Sequence, residues 1–378
     1  MKFFHLSDLH LGKSVHEYSM LEEQEYILKI ILGIADEEKP QAVLISGDVF
    51  DRTIAPTEAL RIFDDFLGGL VRRKIEVFII SGNHDSADRL AFGSRLMEQS
   101  GVHISRVYNG HIEPFVMTDK YGEVLVYSLP FLKPVYVKRF FPDADIETWT
   151  DALKLVVDSM NVDVSKRNVL LAHQFVTGAA CCDSEEISIG GADNVDVEVF
   201  NPFDYVALGH LHGAQYVGKE TVRYCGTPLK YSFSEVSHKK SVAVVELSEK
   251  NHVAVKKIPL VPKRDMRELR GKYLELTAKE FYKNQNTDDF IRIILTDEND
   301  QPDAKKKLEV IYPHLLNLSY DNTRTRSEST VTGISDASRF TPTQLFEKFF
   351  EEQNGQPISA EQKAFLGDLI EHVWEGEK

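Results

Sequence analysis

Two Asp, one Asn and four His with the chemistry of metal ligands stand in five short clusters, each directly after an apolar run. The clusters are Asp8-Leu9-His10, Gly47-Asp48-Val49-Phe50-Asp51-Arg52, Gly82-Asn83-His84-Asp85, His173, and Gly209-His210-Leu211-His212. Mixed oxygen and nitrogen donors suit manganese, iron or zinc. None of the three cysteines joins the set, so a thiolate zinc site is not expected. Two such ions about 3.5–4 Å apart neutralise phosphoryl oxygens and activate water for in-line displacement. The ligand candidates are therefore Asp8, His10, Asp48, Asn83, His173, His210 and His212. Residues two apart in an extended chain point the same way, which suits Asp8 with His10 and His210 with His212. Asp48, after Gly47 in a tight turn, is placed to bridge two ions. His84 adjoins Asn83 but points elsewhere, making it the candidate acid for a leaving oxygen. Asp51 is the carboxylate expected to hold the His84 imidazole, and Arg52 offers forked donors to a phosphate oxygen.

Each residue also has a plainer explanation. A lone His173 is more often a satisfied core histidine, Asp51 could cap the helix near Pro56, and Gly82-Asn83 is a common turn. Phe175, Trp149 and Tyr136 read as packing rather than as platforms for bases. Arg72-Arg73-Lys74 reads as solvated surface. Five clusters in this order, each after a strand, outweigh those separate explanations.

The elements that must position these residues are legible in outline. The runs at 3–6, 42–45, 77–80, 169–172 and 205–208 read as short strands buried on both faces. If all five share one sheet, every cluster lies past a carboxyl end, where open α/β sheets bind ligands. Helical spacing runs over 17–36, from Pro56 to Leu70, and over 89–100. The alternation defines an α/β layered fold. Short β segments around Tyr127, Tyr216, Tyr224, 242–247 and 253–258 predict antiparallel strands that finish the sheet or form a second one.

Residues 263–272 read as a charged connector, followed by a strand at 273–276, a helix at 278–283, a strand at 290–295, a helix at 304–311 and a strand at 315–319. This small α+β unit is near the lower size limit for a stable core and is expected to pack on the first domain. The span 321–339 is polar and reads as a tether. Thr341-Pro342-Thr343-Gln344 and Ser359-Ala360-Glu361-Gln362 both fit a capping box. Behind them run the stripes Leu345, Phe346, Phe349, Phe350 and Phe365, Leu366, Leu369, Ile370, Val373, Trp374, which either fold back or grip another protein. The expected divisions are 1–262, 263–320, 321–340 and 341–378.

An apolar fraction of 42% over 378 residues supports a real core and excludes a largely disordered chain. No run of about eighteen apolar residues exists, so no membrane span is expected. Met1 and Lys2 lead straight into the first strand, leaving no room for a secretion signal. Cys181 and Cys182 are adjacent and make no disulfide framework, so a cytoplasmic location is expected. The net charge of −15 argues against a broad basic face for nucleic acid. It leaves a phosphate-bearing substrate open, since two cations can draw a phosphodiester into an acidic cleft.

The order D-x-H, G-D-x-x-D-R, G-N-H-D, H, G-H-x-H resembles the calcineurin-like metallophosphoesterases. That resemblance implies a layered α/β metallophosphoesterase sandwich, with Asp8, His10, Asp48 and His212 on one ion and Asp48, Asn83, His173 and His210 on the other. His84 corresponds to the histidine that assists the leaving group. A longer match runs through His5-Leu6-Ser7-Asp8-Leu9-His10-Leu11-Gly12, Ile45-Ser46-Gly47-Asp48-Val49-Phe50-Asp51-Arg52, Ile187-Ser188-Ile189-Gly190-Gly191, Tyr205-Val206-Ala207-Leu208-Gly209-His210-Leu211-His212 and Arg223-Tyr224-Cys225-Gly226-Thr227-Pro228. These resemble the bacterial SbcD family of nuclease subunits. The resemblance implies a small α+β capping domain, a C-terminal helical segment and a manganese-dependent DNA nuclease acting on duplex ends, single strands and hairpins. It also implies homodimerisation through helices near 56–70 and 89–100, and an SbcC-like SMC/ABC-type ATPase bound by the C-terminal helices. The Asp51-Arg52 pair echoes the phosphoprotein phosphatases of the same superfamily, so a phosphomonoesterase is the alternative. A non-catalytic scaffold stabilised by metal is the third reading.

Overall fold

All five apolar runs form strands in the computed structural model, but they divide between two sheets. The structure describes residues 1–183, 185, 194–323, 325, 342–354, 358–360, 362–363 and 365–366. In the first sheet β1 (Lys2–Leu6), β2 (Ala42–Ser46), β3 (Glu76–Ile80) and β4 (Val102–Ile104) run parallel and adjacent. The second holds β5 (Phe115–Asp119), β6 (Gly122–Ser128), β7 (Arg167–His173), β8 (Tyr205–Gly209), β9 (Gln215–Val217) and β10 (Lys219–Tyr224), in the order β9-β10-β8-β7-β6-β5. Its central strands β6, β7, β8 and β10 are parallel, and β5 and β9 pair antiparallel at its edges. The hairpin of β11 (Ser241–Leu247) and β12 (Val253–Pro259) completes the first sheet, with β11 antiparallel to β1.

The sequence leaves open whether the strands share one sheet or form two, and the structure has two, the layered sandwich that the resemblance implies. Continuous apolar runs arise because each strand is covered on one face by helices and on the other by the second sheet. Between the sheets lie Phe3, Leu44, Phe78, Val126, Leu171, Tyr205 and Val245, all buried. The outer face of the first sheet carries α1 (Leu21–Glu38) and α2 (Thr57–Arg72), which contribute Ile27, Ile31, Phe63, Phe66 and Leu70 to its core. The outer face of the second carries α3 (Trp149–Ser159), whose start is fixed by a reciprocal capping box between Thr148 and Asp151.

Polar ties join the two sheets at fixed register. His5 in β1 donates from Nε2 to the Leu208 carbonyl (3.1 Å) and accepts at Nδ1 from the Tyr205 hydroxyl (2.9 Å). Burial drives the His5 pKa down to about 3, so the ring is neutral and this tautomer satisfies both nitrogens. Ser46 Oγ donates to the Ala207 carbonyl at 2.8 Å. Together these fasten the end of β1 and β2 to β8.

Three local expectations are corrected. The helix expected over 89–100 is broken into Ala87–Leu90, Ser94–Met97 and a 3-10 turn, because Gly93 adopts φ +76°. The connector at 263–272 carries a strand, β13 (Met266–Gly271). The strand expected at 273–276 is instead the short helix Tyr273–Leu276. β13 is an edge strand with one fully buried anchor, Met266, and its charged residues pair with the neighbouring region, as in Arg267 with Asp289 at 2.7 Å. Such an edge is mostly charge, which hides its alternation. It forms a three-stranded sheet with β14 (Phe290–Leu295) and β15 (Leu315–Tyr320) in the order β13-β14-β15.

The chain separates into two compact units, Met1–Ile294 with Asp303–Ser319, and Leu295–Pro302 with Tyr320–Lys378. Within the first, Met266 and Phe290 belong to the same core as α1, and the Phe290 ring packs edge-on against Tyr18 at 4.8 Å. In the second, the helix Pro342–Asn354 begins at the expected proline. Ser359 and Gln362 make the reciprocal bonds of a capping box at 3.0 and 3.2 Å. Thr341, Leu369, Ile370, Val373, Trp374 and the tether at 326–340 lie outside the described residues.

Candidate metal centre

The clusters meet where the carboxyl ends of β1, β2 and β3 in one sheet face those of β7 and β8 in the other. Each ligand candidate sits at or just beyond its strand, several of them on backbone that side chains rarely adopt. Asp8, His10, Asp48 and His210 have φ of 51°, 44°, 49° and 104°. Left-handed non-glycine residues cost about 1–3 kcal/mol each and persist where surrounding bonds over-determine them. Here the Asp8 N–H donates to the Gly47 carbonyl (3.0 Å) and the His10 N–H to the Asp48 carbonyl (3.0 Å), stitching the first loop to the second. Asp8 in turn accepts the His210 N–H with both oxygens (3.0 and 3.2 Å), which ties the first loop to the fifth.

Two groups of donors result. Asp8, His10 and His212 bring one ligand atom apiece within 4.8 Å of one another, as do Asp8, Asp48 and His173. His10 Nε2 and His212 Nε2 face each other at 3.2 Å. Asn83 Oδ1 lies 3.0 Å from both His173 Nε2 and His210 Nδ1. Asp48 stands between the groups, with Oδ2 3.4 Å from His173, 3.8 Å from His10 and 3.9 Å from His84. All seven ligand candidates are thus gathered at one centre.

The electrostatics are those of a crowded, buried site. Burial pushes Asp8 up to about 6, against the charge of His173. Burial also disfavours the Asp48 carboxylate, but His173, His10 and His84 outweigh it and hold Asp48 well below the usual carboxylate range. Burial opposes charge on His173 too, yet the adjacent Asp48 raises it to about 9. His10 is driven well below the ordinary histidine value, first by burial. Its Nδ1 is buried without a hydrogen-bond partner among the described residues. Facing ring nitrogens, the Asn83 amide oxygen and convergent carboxylates are the donor set that a divalent cation fits.

His84 lies at the rim of this centre, its ring edge-on to His10 at 4.9 Å. Its partner is corrected. His84 Nδ1 donates to the main-chain carbonyl of Asp51 (3.1 Å), not to its carboxylate. The Asp51 carboxylate accepts from Lys13 Nζ at 2.7 Å and sits 3.6 Å from His10 Nδ1. The lysine competes for the acid and leaves the imidazole to the backbone. Arg52 stands apart from the cluster: its side chain is 79% exposed, and its ion pair is with Asp51 at 3.8 Å.

Sequence reasoning left two carboxylates without roles. Asp85 accepts from the N–H groups of Val49, Phe50 and Gly82 at 3.0–3.1 Å, which locks the second loop to the third. Glu235, in the turn Phe233–Glu235, accepts from His212 Nδ1 at 3.2 Å and from Lys240 Nζ at 2.5 Å. A carboxylate on the distal nitrogen fixes the tautomer that offers Nε2 to a metal. No spacing in the sequence announces Glu235, which follows its histidine by 23 residues.

A layered α/β sandwich whose Asp, Asn and His side chains converge at the strand ends defines a phosphoesterase with a divalent-metal centre. Comparison with known proteins takes this further. A family model described as calcineurin-like phosphoesterase matches residues 1–214, and the SbcD C-terminal model, described as type 5 capsule protein repressor C-terminal domain, matches residues 262–354. The chain is 30% identical to the SbcD subunit of the SbcCD nuclease of Staphylococcus epidermidis, covering 100% of both chains. It is 32% identical to the SbcD subunit of the SbcCD nuclease of Staphylococcus saprophyticus, covering 84% of each. The chain belongs to the calcineurin-like phosphoesterase family and, within it, to the SbcD subunits. Among solved structures, a dimetal phosphatase from Danio rerio is similar at 12% identity over 69% of this chain and 96% of that one, with a TM-score of 0.43. The motif Ile187-Ser188-Ile189-Gly190-Gly191 lies outside the described residues.

Proposed function

We propose that this chain is the nuclease subunit of an ATP-dependent complex and hydrolyses DNA phosphodiesters with two divalent ions, manganese in the first instance. Asp8, His10, Asp48 and His212 would hold one ion, and Asp48, Asn83, His173 and His210 the other. The observation that carries this is Asp48 standing between two donor groups, 3.4 Å from His173 and 3.8 Å from His10. Bound ions supply charge neutralisation at the phosphoryl oxygens and activation of water.

The chain's own residues do the rest. Asp8 and Asp85 fix the loops on which the ligands sit. His84, with Nδ1 tied to the Asp51 carbonyl, presents Nε2 as the edge that delivers a proton to the departing sugar oxygen. Asp51 neutralises Lys13 beside it. Arg52, mostly in solvent, would contact a phosphate oxygen of the strand with its forked donors.

By kinship with the SbcD subunits we assign exonuclease action on duplex ends and endonuclease action on single strands and hairpins. The same kinship supports an SbcC-like ATPase partner bound through the C-terminal helices, and a cytoplasmic site of action. No helix among the described residues is long and apolar enough to cross a membrane. A homodimer is supported by the exposed apolar side chains Leu60, Phe92, Leu96 and Met97 in and beside the helices expected to pair.

The test uses purified protein with manganese and linear DNA. Cleavage is expected, and His84→Gln should abolish it while metal content is unchanged. Full cleavage by that variant removes His84 from the mechanism. Robust phosphomonoester turnover with inert DNA favours the phosphatase alternative.

A further inference from the structure

We propose that the cavity beside Asn83 is a nucleotide subsite, which takes the base next to the scissile phosphate against the rings of Tyr136 and Phe140. The subsite rests on the nuclease reading, in which a strand held at the metal centre carries a base beside the scissile phosphate. The cavity measures about 530 Å³, and its lining includes Asn83 together with Phe131, Lys133, Tyr136, Arg139 and Phe140. That volume falls among ordinary small-molecule sites, roughly 300–1,000 Å³, so a nucleotide fits.

Its connection to the metal centre is direct. The Phe131 N–H donates to the Ser81 carbonyl at 2.9 Å, two residues before Asn83. The Phe131 ring stands edge-on to His173, with centroids 6.1 Å apart. One wall of the cavity is thus shared with a metal-ligand candidate, and a phosphodiester held at the centre would extend its flanking nucleoside into this space.

The lining has the composition that binds bases. Tyr136 is 42% exposed and Phe140 is 44% exposed, although burial would favour both rings. Tyr136, which the sequence alone suggests is packing, therefore faces solvent at the cavity. Phe140 packs edge-on against Tyr108, with centroids 5.4 Å apart. The Arg139 guanidinium lies 5.4 Å from the Tyr136 centroid, a cation–π contact that orients the tyrosine and brings positive charge to the rim. Lys133 adds a second cation. Of the two carboxylates in the lining, Asp85 is turned into the N–H groups of three loop residues, and Asp88 is exposed in the first turn of a short helix. Aromatic faces with cations at the edge suit a base and its phosphate, and stacking is tolerant of which base arrives.

The experiment measures calorimetric binding of deoxyadenosine 5′-monophosphate and of 2-deoxyribose 5-phosphate to the full chain with manganese. The two probes share the sugar and phosphate and differ at C1′, which carries the base in one and a hydroxyl in the other. The nucleotide is expected to bind about 5- to 150-fold tighter, the span that one base–aromatic stack corresponds to. Tyr136→Ala should close most of that gap, and Tyr136→Phe, which keeps the ring, should retain it. Equal affinity for the two probes, no binding of either, or an undiminished gap in Tyr136→Ala overturns the subsite. Linear DNA left intact by wild type, with the gap present, would instead sink the nuclease reading and leave the base-binding cavity standing.

Discussion

Replacing Glu235 by Gln tests whether the metal centre depends on a group that never touches the ions. Glu235 is fully buried and holds His212 Nδ1 at 3.2 Å, Lys240 Nζ at 2.5 Å and the Tyr231 N–H at 3.3 Å. Burial alone would raise its pKa, but the His212 bond and the Lys240 charge hold it well below the usual carboxylate range. Two effects follow from neutralising it. Lys240, itself buried and with its pKa lowered first by burial, loses its counter-charge. Breaking a buried pair in this way costs about 3–5 kcal/mol. Separately, His212 keeps only a neutral amide oxygen opposite Nδ1 in place of a charged carboxylate, and loss of such an orienting carboxylate weakens metal affinity about 10- to 100-fold. The two effects are separable with Glu235→Gln combined with Lys240→Met, which removes the stranded ammonium. The double variant should recover most of the thermal stability and none of the manganese affinity, the latter read by electron paramagnetic resonance titration of apo protein. Unchanged affinity in the single variant, or affinity restored in the double, would refute the orienting role.

Further outcomes are expected. Gly82→Ala places a Cβ 2.1 Å from Asp48 Oδ1 and 2.5 Å from the Asp48 backbone nitrogen, which cannot yield. It should lower both metal content and the melting temperature, and normal metal content by elemental analysis would contradict the geometry. Asp119, although burial would raise it, is held well below the usual carboxylate range by Arg167, whose guanidinium grips it at 2.5 and 3.2 Å. Because the folded-state value is depressed, this stabilisation is present above the unfolded carboxylate pKa and is lost as pH falls through the folded one. Asp119→Asn should therefore cost about 1.5–3 kcal/mol in urea unfolding at pH 7 and progressively less below pH 4. An equal loss at both ends would rule out the pair. Removing residues 341–378 should leave metal content intact and abolish capture of the ATPase partner in pull-down, and retained capture would place that interface elsewhere.

How much was legible in advance follows from the range of each interaction. The strands before the clusters announce themselves because burial on both faces needs unbroken apolar runs, and the ligands announce themselves because Asp, Asn and His recur straight after each of those runs. Helix starts at Pro56 and Ser359 are local as well, written in residues within one turn of each other. What escaped is long-range. Whether five buried strands make one sheet or two depends on ties such as His5 to Tyr205 and Leu208, some 200 residues apart, and on Ser46 to Ala207. Nothing near His5 distinguishes a tie between sheets from a further ligand.

The same distance argument explains why Asp51 and Glu235 exchanged importance. Asp51 lies in the cluster with the ligands, so sequence proximity gave it a role holding His84. Lys13 lies closer to its carboxylate, and the ring of His84 is satisfied by the Asp51 main chain, which any residue there would provide. Asp51→Asn should therefore disturb Lys13 more than His84. Glu235 lies far from every cluster, yet its buried charge is met by His212 on one oxygen and by Lys240 on the other. A carboxylate buried this deeply persists only where its bonds are satisfied, so function is better sought in what a buried charge holds than in what stands next to it in the chain.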